Sequence, residues 1–383
     1  MNADSTDVPP AAAPRARLVS LDLFRGGSIA AMILVNNAGN GPDSYRLLQH
    51  AEWNGWTPTD LIFPFFLFIV GVSMAFSFNS RLRRGESRRQ LLRHVWQRGM
   101  ILFAVGLFLN GFPNQYSLSS WRVYGILQRI AICYVVTAVL ALWSSRRSWI
   151  IWIAVCLTGY WVLMRFVPVP GFGVPAHDVP LLDPDRNLAA WLDRQLLAGH
   201  LYDGTRDPEG VLSTIPAIAT SLLGLLTGDW LRGPGDGNAK VVGMALCGLA
   251  CVGGGELWNL WFPINKNLWT SSFTLLSAGL ALLCLAVCYW IVDVRNWRGR
   301  WTTFFLVFGM NPIVAYVFAE MISHSLYRLS TASGLTWQEV LYQNGFEPFM
   351  SPANASLTYA LCFTLTSWAA MWALYRKRVF LKI

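Results

Sequence analysis

The chain has 383 residues, 54% hydrophobic and only 13% charged; its apolar residues come in blocks of roughly 20, which excludes a soluble enzyme and gives an all-α, polytopic membrane protein. Its net charge of +9 would suit a nucleic-acid partner, but the cations sit in short loops between apolar blocks, so the expected surround is a lipid bilayer and no nucleic acid. The seven cysteines all fall in apolar blocks, which argues against a disulfide framework, and Cys247/Cys251 and Cys284/Cys288 have no histidine or carboxylate at matching depth, so no metal is expected.

Residues 1–16, rich in Ala and Pro, read as a disordered cytoplasmic tail, and 17–383 as one transmembrane domain. The first span, 18–37, carries Asp22 and Arg25 and has no small-residue cleavage site behind it, so it is retained. The two charges can pair on one helix face. Asn36 points within about 20° of Arg25 and lies about 16 Å further along the axis. One face therefore runs from a charge to an amide, past the small residues Gly26, Gly27, Ala30 and Ala31.

The stretch QHAEWNGWTPTDLIFPFFLFIVGVSMAFSFN, residues 49–79, is the centre of the chain. Thr57 fits an N-cap, Pro58 the first helical position and Asp60 the third, which completes a capping box. His50 then sits just outside a helix mouth, among Trp53, Asn54 and Trp56, which suit the headgroup level.

Further spans read as 94–112, 124–143, 149–167, 211–231, 241–260, 268–292, 302–323 and 355–375, about ten in all with 58–79. Arg129 falls inside the fourth, where a guanidinium must find a carboxylate, carbonyls or an anion. The loop 168–207 holds Asp178, Asp183, Asp185, Asp193 and Asp203, with His177 and His200; Leu188, Trp191, Leu192 and Leu196 give it a short amphipathic helix. His200 with Asp203 reads as solvated loop before it reads as a metal site. In DPEG, Asp207, Pro208 and Glu209 suit the opening turn of the next helix. Asn311 beside Pro312 is open to two readings, a helix–helix hydrogen bond or a ligand contact. A second outer loop covers 324–352.

Arginines and lysines crowd alternate loops: Arg81 to Arg93, Arg146 and Arg147, Arg232 and Lys240, Arg295 to Arg300, and Arg376 to Lys382. The positive-inside rule places both termini in the cytoplasm and His50 outside.

Seven segments, SLDLFRGGSIAAMILVNNAG, HAEWNGWTPTDLIFPFFLFIVGVS, YGILQRIAICY, DPEGVLSTIPAI, PINKNLWTSSFTLL, FGMNPIVAYV and YRKRVFLKI, together resemble the transmembrane acyltransferases typified by heparan-alpha-glucosaminide N-acetyltransferase, over residues 18–383. The resemblance implies an enzyme that moves acetyl from cytoplasmic acetyl-CoA to the amino group of a glucosamine beyond the membrane. It puts the catalytic histidine on His50 and the catalytic-site asparagine on Asn36, and suggests a homodimer. Lysosomal relatives carry a further luminal domain, so the expectation here is a bacterial inner-membrane version.

Chemistry fills in the roles. An amino sugar attacks a thioester only after losing a proton, which suits His50 as general base; Asn36 supplies an amide donor to the oxyanion. An acyl-imidazole on His50 is the alternative. Arg25, Arg98 and Arg129 are candidates for the CoA phosphates, with the pantetheine arm running along the first span toward Asn36. Asp60, Glu209, Lys266 and Asn267 could orient the sugar, and Trp269 could stack on it. A sugar transporter, or an O-acyltransferase of a periplasmic glycan, are the competing readings.

Overall fold

The computed structural model describes residues 18–381; the expected tail, 1–16, lies outside the described residues. Thirteen α-helices follow one another: α1 Val19–Asn36, α2 Ile62–Arg83, α3 Arg88–Gly111, α4 Ile126–Trp143, α5 Arg146–Phe166, α6 Leu188–Leu196, α7 Thr214–Leu231, α8 Gly237–Asn259, α9 Ser271–Tyr289, α10 Arg300–Met310, α11 Pro312–Arg328, α12 Trp337–Gly345 and α13 Pro352–Arg376. A 3₁₀ turn, Pro58–Leu61, leads into α2, and a π turn, Trp290–Val294, extends α9. No strand forms among the described residues, only isolated bridges.

Among the described residues, eight helices are long and apolar enough to span a bilayer, and α10 with α11 adds a pair bent by 78°. This is one fewer than the ten expected, because α3 does not qualify. Its 24 residues would reach about 36 Å, but Arg88, Arg89, Arg93, His94 and Arg98 make its first half too polar.

The chain runs back and forth, so its loops gather at two ends. At one, Gly55 N donates to Ile264 O (2.8 Å), Trp53 Nε1 to Leu182 O (2.7 Å), and Tyr327 Oη to Ala38 O (2.8 Å). This is the His50 end. At the other, basic end, Ser20 N donates to Asp293 Oδ2 (3.1 Å) and Arg146 pairs with Asp229.

Three helix pairs approach backbone to backbone, among them α8 and α9, where a Cβ on Gly279 would collide with Gly248 O. A Cβ on Gly26 would collide with Phe305 O, and one on Gly309 with Asp22 O, which locks α1 to α10. Gly71 and Gly224 do the same for α2 and α7 against Ser221 O and Phe68 O. In lipid, where apolar surface gains nothing by association, close packing of this kind holds helices together. A buried cluster including Leu61, Phe63, Leu67, Leu102, Leu127, Ile130, Trp269 and Phe273 fills the bundle below the His50 loops.

Candidate active site

The site begins with the turn into α2. Asp60 is buried, and its Oδ2 accepts from the backbone N–H groups of Thr57 (2.9 Å) and Ala51 (3.1 Å). These bonds draw the HAEWNG loop onto the helix start, and the Thr57 hydroxyl pins Gln49 O at 2.7 Å. The other carboxylate oxygen, Oδ1, lies 2.7 Å from His50 Nδ1. Asp60 is therefore more than a cap: it fixes the imidazole and keeps a proton on Nδ1, which leaves Nε2 as the basic nitrogen. The His50 side chain is 51% exposed against 1% for Asp60, so the ring is held from behind and open in front.

Lys266 Nζ sits beside the ring, 3.0 Å from Nδ1 and 3.3 Å from Nε2, and 3.6 Å from Asp60 Oδ1. Nδ1 already faces the carboxylate at the shorter distance, so the ammonium can donate only to Nε2 or to Asp60. Burial pushes the Lys266 ammonium down from its usual range, and the Asp60 and Glu209 carboxylates oppose this. The loop carrying Lys266 is set by Asn265, which sequence reasoning missed. Fully buried, it donates to Trp53 O (2.9 Å) and accepts from Leu268 N (2.9 Å). Only the cap on Leu268 N, three residues on, is local; the bond to Trp53 joins distant parts of the chain. Asn267 is half-buried and lines a small crevice with Trp53, Asp193, Arg206 and Asp207.

A second ionic cluster stands at the same end. Arg122, also missed, grips Asp207 through Nε (2.9 Å) and Nη2 (2.6 Å) and reaches Glu209 with Nη2 (2.6 Å). Burial works against this cation, but the two carboxylates hold its pKa above the ordinary value. DPEG is thus a buried turn, with Glu209 N donating to Asp207 Oδ1 (2.9 Å), and α7 starts only at Thr214. Asp207 is not its cap. In the outer loop, the amphipathic helix expected around Leu188 is α6, and burial pushes the carboxyl of its Asp193 up to about 6, against a hydrogen bond from Val211 N. His200 turns Nδ1 to Trp121 O (2.8 Å) while Asp203 pairs with Arg206 (3.2 Å). No group of three His, Cys, Asp or Glu able to hold a metal occurs among the described residues.

The three arginines expected near CoA separate. Arg25 and Arg98 line one cavity of about 290 Å³ with Ser73, Ser77, Phe66 and Leu127. Arg25 donates to Asp22 (2.9 Å), as expected, and to Ser73 Oγ (2.6 Å). Arg129 is elsewhere. The face of α4 toward the cavity carries Leu127, Ile130 and Tyr134, and residues 128 and 129 lie off that face by about 100° steps. Fully buried, Arg129 donates to Gly210 O (3.1 Å) and Ser213 Oγ (2.5 Å), with its guanidinium 5.2 Å from the Trp269 ring centroid. Trp269, expected to stack on a sugar, is a core residue: 1% exposed, edge-on to Phe63 and Phe273, its indole N–H given to Thr220 Oγ1 (3.1 Å).

The cavity also departs from the expected donor route. From α1 it takes Arg25 alone among residues 18–36, and it follows α2 from Phe78 to Phe66, about 18 Å of helix. Its lining includes neither His50 nor Asn36; Phe66 lies about 9 Å of rise from Asp60. Asn36, at the end of α1, stands near the Glu320 side chain, which meets His324 Nε2 at 3.3 Å.

A family model for the catalytic region of heparan-alpha-glucosaminide N-acetyltransferase matches residues 17–247, which include His50, Asp60 and Asn36 but not Lys266. The heparan-alpha-glucosaminide N-acetyltransferase of Homo sapiens is 31% identical over 422 residues, covering 96% of this chain and 60% of the human protein. That of Mus musculus is 31% identical over 391 residues, covering 86% of the chain and 57% of the mouse protein. The chain thus spans about three fifths of the length of the curated relatives it matches. With more than half of its residues inside the family match, and the His50–Asp60 pair within that match, this chain belongs to the heparan-alpha-glucosaminide N-acetyltransferase catalytic family.

Proposed function

We propose that the chain is a membrane-embedded acetyltransferase that takes acetyl from acetyl-CoA at its basic, cytoplasmic end and delivers it to the amino group of a glucosamine-type sugar at the His50 end. The observation that carries this is the His50–Asp60 pair, an imidazole open to solvent on one side and held by a buried carboxylate on the other. Asp60 keeps the Nδ1 proton in place. Nε2 accepts a proton from the sugar's ammonium and releases it to water, the freed amine attacks the thioester carbonyl, and the second proton, shed by the nitrogen as the amide forms, passes through Nε2 to the departing CoA thiolate. Asn36 serves as amide donor to the oxyanion. Glu209, Lys266 and Asn267 border the acceptor; Arg25 and Arg98 serve the CoA phosphates.

The alternation of basic loops supports cytoplasmic termini and a multi-pass protein of a bacterial inner membrane. A homodimer is proposed on the family resemblance. The 78° break between α10 and α11 favours one second reading, transport of a sugar, since transporters build sites at broken helices. Purified protein in liposomes, given labelled acetyl-CoA and a panel of amino sugars, separates the two. The expected result is N-acetylation, reduced at least about 10²-fold in both His50→Ala and Asn36→Ala. Full N-acetylation by His50→Ala would remove its assignment; sugar flux without acetyl-CoA consumption would favour the transporter.

A further inference from the structure

The last segment of the chain is held in place by a buried side chain, and it borders the cavity that holds Arg25 and Arg98. α13 ends at Arg376, and the chain reverses at Arg378, whose φ is +55°. Asn311, fully buried at the break between α10 and α11, then uses both ends of its amide on the returning segment. Its Nδ2 donates to Val379 O (2.9 Å), and its Oδ1 accepts from Leu381 N (3.0 Å). This settles the two readings open for Asn311: the amide is spent on the C-terminal segment. Leu381, placed by that bond, lines the cavity together with Gly309, Met310 and Pro312 from either side of the break.

Just ahead of this segment come Arg376, Lys377 and Arg378, all exposed. Among the described residues none of the three pairs with a carboxylate, whereas Arg25 is already bonded to Asp22. Three exposed cations thus stand three to five positions ahead of Leu381, which lines a cavity whose walls are mostly apolar and follow α2 for about 18 Å. That layout, a basic run on the segment whose end lines a mostly apolar cavity, fits a ligand with a polyphosphate head and a slender neutral arm.

We infer that residues 376–381 form part of the donor site: the basic run binds the phosphates of the CoA nucleotide, and Asn311 is the positioning residue that fixes this segment against the cavity. The inference rests on the acetyltransferase reading above and adds to it the part of the chain that recognises the nucleotide end.

The test compares two donors, acetyl-CoA and S-acetylpantetheine, which share the thioester and arm but differ in the phosphorylated nucleotide. In the full-length protein, replacing Arg376, Lys377 and Arg378 together by glutamine lowers the preference for acetyl-CoA, the ratio of the two kcat/KM values, at least about tenfold. Asn311→Ala moves the ratio the same way. The triple variant changes only exposed side chains, so it keeps the question answerable if Asn311→Ala folds poorly. CoA binding, read as the rise in Tm on adding CoA, should be large in wild type and mostly lost in the triple variant. A ratio unchanged in the triple variant, or both donors weakened equally, overturns the inference and makes the segment a structural strap. Wild type that shows no Tm rise with CoA and uses neither donor would overturn it together with the acetyltransferase reading; CoA binding that ignores the segment overturns the inference alone.

Discussion

His50 gains its chemistry from a residue ten positions away. Asp60 spends one oxygen on two backbone N–H groups and the other on Nδ1, so the imidazole has one tautomer and one orientation. Asp60→Asn keeps the size but not the charge, and kcat for acetyl transfer should fall about 10²–10⁴-fold with the KM for acetyl-CoA little changed. A parallel fall in CoA binding would show that Asp60 acts on the fold instead. Asp193 offers a pH test. Its carboxyl, pushed from an ordinary 3.8 up to about 6, binds its proton more tightly folded than unfolded, so stability falls as pH rises from about 4 to 6 and stays lower above. The difference is about 3 kcal/mol at most. Thermal melts in detergent should show that slope in wild type and a flatter one in Asp193→Asn. The His50–Asp60 start of α2 was legible in sequence because capping chemistry is local. Arg129 and Trp269 were misplaced because sequence gives depth along a helix but not which neighbour it faces; Arg122 and Asn265 act through partners far away in the chain.

At the scale of elements, the pattern of apolar blocks carried most of the fold. It is weakest at α3, whose basic first half keeps it less apolar than the other spans although the helix carries the chain from the basic end toward the His50 end. It also missed the bend at Asn311–Pro312, which periodicity does not report. The glycines were visible as small residues, but which of them touch backbone was not. Gly27 has only ordinary contact with Phe305, while Gly26 one step away abuts its carbonyl. Gly26→Leu should therefore separate α1 from α10 and lower Tm strongly, by overpacking worth about 1–3 kcal/mol or more, whereas Gly27→Leu should leave Tm nearly unchanged. Equal melting of the two variants would argue against the α1–α10 contact.

For the whole molecule, sidedness is the property on which the proposed reaction depends, and the loops sort into two groups that can be labelled separately. With the seven native cysteines replaced, a cysteine at Gly235 should react with a membrane-impermeant reagent only in inverted vesicles. One at Gly204 should react in intact cells. The reverse pattern would invert the protein and place the proposed donor site outside the cytoplasm. The cavity from the basic end does not run through to His50. Phe63, Leu67, Leu127 and Trp269 belong to the buried cluster filling the bundle. A bore stoppered with packed aromatic and aliphatic groups gives water and ions no continuous file from one compartment to the other. On the acetyltransferase proposal, the thioester meets the amine at His50 only when this packing opens, so a closed resting bundle holds back protons and coenzyme between turnovers.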